Sequence, residues 1–140
     1  LPFLIHGALV TMSSVRGLRG ATTSDCNTKK AISDATSELL VHLLKVNQMT
    51  HNDIAAAIFT TTEDLNAEFP AVAARRLGWR YVALLDSHEM KVPKALTKCI
   101  RVLLLVNTDK NPQDLVNVYL KGAKILRGTQ IEDREEVYRN

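Results

Sequence analysis

Cys99-Ile100-Arg101-Val102-Leu103-Leu104-Leu105-Val106 is the most apolar run of the chain, and one residue in it is charged. Aliphatic and β-branched residues without helical spacing of polar positions predict a buried strand. A guanidinium cannot lose its proton, so Arg101 cannot escape burial by neutralising. An unpaired charge in such a strand costs several kcal/mol, comparable with the stability margin of a small domain. Arg101 therefore needs a carboxylate from elsewhere in the chain, a bound anion, or a wet cleft. The strand itself offers no acid.

A second arginine cluster stands in Val15-Arg16-Gly17-Leu18-Arg19-Gly20-Ala21-Thr22-Thr23. Each arginine precedes a glycine, a residue that lets another group approach the backbone closely. Two readings are open. One is a carboxylate or phosphate site, since arginine grips both with paired hydrogen bonds. The other is two surface arginines on an edge strand with a glycine bulge.

The chain has 140 residues, 46% hydrophobic and 24% charged, which predicts one globular domain. A net charge of +3 suits an anionic small ligand. With 5% aromatics and no basic block between them, the sequence lacks a stacking platform for nucleic acid. No apolar stretch approaches the ~20 residues of a membrane span. Cys26 and Cys99 form neither a disulfide framework nor a zinc motif, and free thiols point to the cytoplasm. His6, His42, His51 and His88 lack metal-ligand spacing, and no phosphate loop or dinucleotide fingerprint appears, so no metal or cofactor is expected.

Working outward, residues 15–22 read as a strand. Thr28 or Asn27 caps a helix through about Asn47, with Ile32, Ala35, Leu39, Leu43 and Val46 on one face. Ile54 to Thr61 and Trp79 to Asp86 read as strands, Phe69 to Leu77 as a short helix ended by Gly78. Asn111-Pro112 starts a helix to about Lys121, carrying Tyr119, and Ala123 to Arg127 reads as a last strand. The order β-α-β-α-β-β-α-β predicts an α/β domain, α+β-like, with an about five-stranded mixed sheet and helices on one face. Its strands are apolar at most positions, so the uncovered face calls for a homo-oligomer. Residues 1–13 are expected to be an N-terminal extension with Met12 as functional start, 14–128 the domain, and 129–140 a charged mobile tail.

Asp86-Ser87-His88-Glu89 has the residue types of a hydrolase triad, but neighbours on an extended segment point to different sides, and no nucleophile elbow accompanies them. Glu89, just past a strand end, is the more interesting acid. With no nucleophile–base pair in view, an enzyme built from these residues works by positioning and electrostatics.

The ordered set Val15–Thr23, Glu63-Asp64-Leu65, Phe69-Pro70-Ala71 with Arg75, Gly78-Trp79, Glu89-Met90, Lys98–Val102, Pro112-Gln113-Asp114, Val118-Tyr119-Leu120 and Leu126-Arg127 resembles the small monofunctional chorismate mutases of the AroH type. The resemblance covers roughly residues 14–127. It implies a barrel-like homotrimer with clefts between subunits, no cofactor, and conversion of chorismate to prephenate in phenylalanine and tyrosine biosynthesis. Carried over, Arg101 lies by the ether oxygen of the substrate. Arg19 and Tyr119 hold the side-chain carboxylate, and Glu89 accepts from the ring hydroxyl. Phe69 and Ala71 line the cleft from the neighbouring chain, with Arg75 and Arg127 at its mouth, and Leu126 packs nearby. Asp86 departs from the family, which often has cysteine or another small uncharged group there. It either accepts from the hydroxyl or repels a dianion. Two alternatives stay open, a trimeric imine deaminase and a non-catalytic trimer that binds carboxylate metabolites.

Overall fold

Burial alternates along the apolar run as a strand with two different faces requires. Ile100, Val102, Leu104 and Val106 are buried, while Arg101, Leu103 and Leu105 keep partial exposure. The computed structural model describes residues 2–5, 8–11 and 13–126. Its strands are β1 (Pro2–Ile5), β2 (Ala8–Thr11), β3 (Ser14–Thr23), β4 (Ile54–Thr61), β5 (Ala83–His88), β6 (Cys99–Thr108) and β7 (Val118–Tyr119). Its two α-helices are α1 (Lys29–Val46) and α2 (Ala71–Arg76).

β1 and β2 pair with each other in a two-stranded sheet. The other five form one mixed sheet in the order β5-β4-β6-β3-β7. β6 is its centre, antiparallel to both β3 and β4, while β5 and β7 join parallel at the edges. Both helices cover one face. Leu39, Leu40 and Leu43 of α1 and Ala71 and Ala74 of α2 share a core with Leu18, Ala57, Phe59, Val102, Leu104 and Val106. The expected single mixed-sheet domain with helices on one face is therefore what forms.

α1 starts as expected, with Thr28 Oγ1 accepting from the N–H of Ala31, but Val46 at its end is exposed rather than part of the apolar face. The helix lies close on the sheet because Gly20 has no side chain. A Cβ there would stand 2.7 Å from Leu43 Cδ1 and 3.1 Å from Leu39 Cδ1. The pairing of β3 with β6 runs without a shift, so neither glycine marks a bulge, and Gly20 marks a close approach.

Three expectations are corrected. The helix Asn111–Lys121 is absent: a single 3-10 turn, Pro112–Asp114, is followed by the extended strand β7. Its backbone is held by Asn47, whose Oδ1 accepts from the N–H of Val116 at 2.8 Å and whose Nδ2 donates to Val116 O at 2.9 Å. The expected last strand is instead a 3-10 turn, Lys121–Ala123, with residues 124–126 helical. The third strand starts at Ala83, not Trp79, because the N–H of Trp79 donates back to Ala74 O and that of Arg80 to Gly78 O, which spends these groups on closing α2. Arg127 and the expected tail lie outside the described residues. Among the described residues no helix is long and apolar enough to cross a membrane.

Candidate active site

The sheet register lines up one rung across all five strands. Ser87 pairs with Thr60, Thr60 with Arg101, Arg101 with Ala21, and Ala21 with Tyr119. Directly paired residues project to the same side. This rung therefore lies on the face that the helices leave open. Arg19, two residues from Ala21 along β3, shares that face and is exposed. Arg16, three residues earlier, projects to the opposite face, so the two arginines of the cluster do not form one clamp.

Glu89 reaches the rung from the end of β5. Its N–H donates to Thr61 O at 2.9 Å, which extends the strand alignment and brings the side chain over Arg101. Glu89 Oε1 accepts from Thr60 Oγ1 at 2.7 Å and stands 3.0 Å from Arg101 Nε. The Nε–H of Arg101 is nevertheless not aimed at that oxygen. It is a buried donor with no aligned acceptor among the described residues. Burial pushes the thiol of nearby Cys99 up, against the opposing pull of Arg101, so the thiol stays protonated at neutral pH and brings the arginine no negative charge.

Tyr119 closes the other end of the rung. It is buried with Ala21 and Ala123, and Leu96 and Leu126 pack against them. Its expected place on a helix is corrected.

The remaining expected site residues lie on the helix side of the sheet. Phe69, 65% exposed, precedes α2 and borders a cavity of about 410 Å³ with Lys29, Thr61, Asp86 and His88. Arg75 is exposed on α2. Ala71 is fully buried in the core, so its side chain lines no surface of the single chain. Asp86 Oδ1 accepts from the N–H of Ala71 at 3.0 Å and thereby faces the helices, not the rung. Burial pushes its carboxyl up, with the Ala71 hydrogen bond and the charge of Arg75 opposing. One chain thus carries Arg101, Arg19, Glu89, Tyr119 and Leu126 on one side, and Phe69, Arg75 and Asp86 on the other.

Two residues of the site were missed in the sequence. Thr60 has no local signal, since its place opposite Arg101 depends on register. Asn27 reads only as a possible helix cap, yet its Oδ1 accepts from the N–H groups of Asn66 and Ala67, both at 3.0 Å, and so ties down the loop before Phe69. Among the described residues no group of three or more His, Cys, Asp or Glu side chains is arranged to hold a metal ion.

The profile of the family "Chorismate mutase type I" matches residues 15–129, the whole sheet of the rung included. The chain belongs to the type I chorismate mutases. It is 50% identical over 115 residues to chorismate mutase AroH of Thermus thermophilus, covering 81% of this chain and 93% of that one. It is 40% identical over 114 residues to chorismate mutase AroH of Bacillus subtilis, covering 81% of this chain and 90% of that one. A solved chorismate mutase structure from Clostridium thermocellum superposes with a TM-score of 0.78 at 48% identity, covering 79% of this chain and 99% of that one.

Proposed function

We propose that this type I chorismate mutase converts chorismate to prephenate, a [3,3] rearrangement for aromatic amino acid biosynthesis, on the open face of its sheet. The observation that carries the reading is Arg101, a guanidinium on the central strand with a buried Nε–H that lacks an aligned acceptor. The substrate is a dianion. In the reaction the ether C–O bond breaks as the new C–C bond forms, and negative charge grows on the ether oxygen. A fixed donor there stabilises the transition state more than the ground state. Arg19 and Tyr119 hold the side-chain carboxylate in the folded conformer, which removes orientation entropy from the barrier. Glu89 accepts from the ring hydroxyl.

The split of the site residues between the two sides of the sheet supports a trimer. In a cyclic assembly, the Phe69 and Arg75 side of one subunit meets the rung of the next. Buried Ala71 acts there by seating the start of α2 beneath Phe69. Asp86 supports that same turn. No cofactor takes part, and free Cys26 and Cys99 fit a cytoplasmic enzyme. The family assignment decides against an imine deaminase. Turnover separates an enzyme from a non-catalytic binding trimer.

The test is loss of chorismate absorbance with purified protein and with Arg101→Ala. The wild type is expected to turn over, and the variant to lose ~10²–10³ in kcat, the usual cost of one such donor. Arg101→Lys is expected to fail similarly, because a point charge on a flexible stem does not reproduce the fork. Near-normal turnover by Arg101→Ala overturns the role of Arg101.

A further inference from the structure

Glu89 and Arg101 have opposite charges and stand close enough to neutralise each other. A carboxylate that aligned fully with the guanidinium would take up the donor that the reaction needs. Something has to hold them near each other without that closure. Three observations single out Thr60. It is the direct cross-strand partner of Arg101, with neighbouring Cβ atoms on the same face. Its hydroxyl donates to Glu89 Oε1 at 2.7 Å. That same oxygen stands 3.0 Å from Arg101 Nε, yet the Nε–H is left without an aligned acceptor.

We infer that Thr60 is a positioning residue: its hydroxyl competes with Arg101 for Glu89 and holds the carboxylate out of line with the Nε–H, which keeps that donor free for the substrate. Thr60 is β-branched and fixed at χ1 by its place in β4, so the hydroxyl is a rigid anchor. A hydrogen bond to a carboxylate is among the stronger ones, and a neutral donor supplies it without adding charge to the cleft. Removing the hydroxyl lets Glu89 rotate onto Arg101. The loss then falls on kcat, where Arg101 acts, more than on KM. This inference rests on the chorismate mutase reading.

The experiment measures kcat and KM for chorismate with wild type, Thr60→Val, Thr60→Ser and Arg101→Ala, and with Thr60→Val placed in a Glu89→Ala background. Thr60→Val keeps shape and strand propensity. It is expected to lower kcat roughly tenfold, the scale of one hydrogen bond to a charged group, with a smaller change in KM. Thr60→Ser is expected to restore most of kcat. In the Glu89→Ala background the valine is expected to cost nothing further, because the group it acts through is gone. Unfolding curves check each variant, and Thr60→Ala replaces Thr60→Val if the latter does not fold. Full kcat in Thr60→Val, failure of serine to rescue, or an equal loss without Glu89 overturns the role. If Arg101→Ala loses turnover while Thr60→Val keeps it, the reaction stands and the role of Thr60 falls. No turnover by the folded wild type overturns the reaction itself, and the role with it.

Discussion

Asp86 is tied by its carboxylate to the N–H that opens α2. Burial pushes its carboxyl up, so the fold favours the protonated form. The stability linked to that proton is present below the ordinary carboxylate range and is lost as pH rises through the raised value. Asp86→Asn keeps an oxygen to accept from the N–H of Ala71 and carries no charge. It is expected to be more stable than wild type at neutral pH, with the gap closing on acidification. Urea unfolding at the two pH values measures this, and an equal gap at both would show that burial of the charge does not matter. The sequence offered two roles for Asp86, acceptor from the hydroxyl or repeller of the dianion. Neither anticipated the helix side, because a residue's face depends on its register in the sheet, and Asp86 pairs with Phe59 of the helix-side core. Arg101 and Glu89 were legible from a different cause. A charge amid aliphatic residues demands a partner wherever the register falls, and the partner is Glu89.

Among the elements, α1 and the strands β3, β4 and β6 were readable because length and periodicity agree with what tertiary packing wants. Val116-Asn117-Val118-Tyr119-Leu120 was not, because its conformation is imposed from α1. Asn47 is 1% exposed and spends its amide on both backbone groups of Val116, besides donating to Leu43 O at 2.8 Å. A five-residue stretch cannot announce a partner almost seventy positions away. Asn47→Ala is expected to cost about 1–3 kcal/mol, since the backbone groups of Val116 are left without their partner. Because β7 carries Tyr119, the same change is expected to raise KM. Denaturant titration and steady-state kinetics read the two effects. Unchanged stability would mean that β7 is held by its pairing with β3 alone.

At the scale of the molecule, the open face decides. Val15 is 58% exposed and Leu85 61%, with Leu103 also exposed, more apolar surface than one sheet face ordinarily leaves to water. A second copy of the chain that covers it brings Phe69 and Arg75 towards the rung. Mixing two inactive variants tests this. Arg101→Ala and Arg75→Ala subunits, unfolded together and reassembled in equal amounts, are expected to regain activity. In random assembly about a quarter of the clefts hold both intact residues. No recovery in the mixture would place Arg75 and Arg101 in the cleft of a single chain. The arrangement of the sheet has a last consequence, for synthesis. β6 joins β3 to β4, and Ser14 finds Thr108 while Thr23 finds Cys99. Until β6 has left the ribosome, the nascent chain can join β4 to β5 but has no strand to link them to β3. β3 is therefore expected to stay without a strand partner until β6 has emerged, the window in which chaperones act on such sequences. Arg101, at the centre of the rung, sits on the strand whose arrival joins the two halves of the sheet.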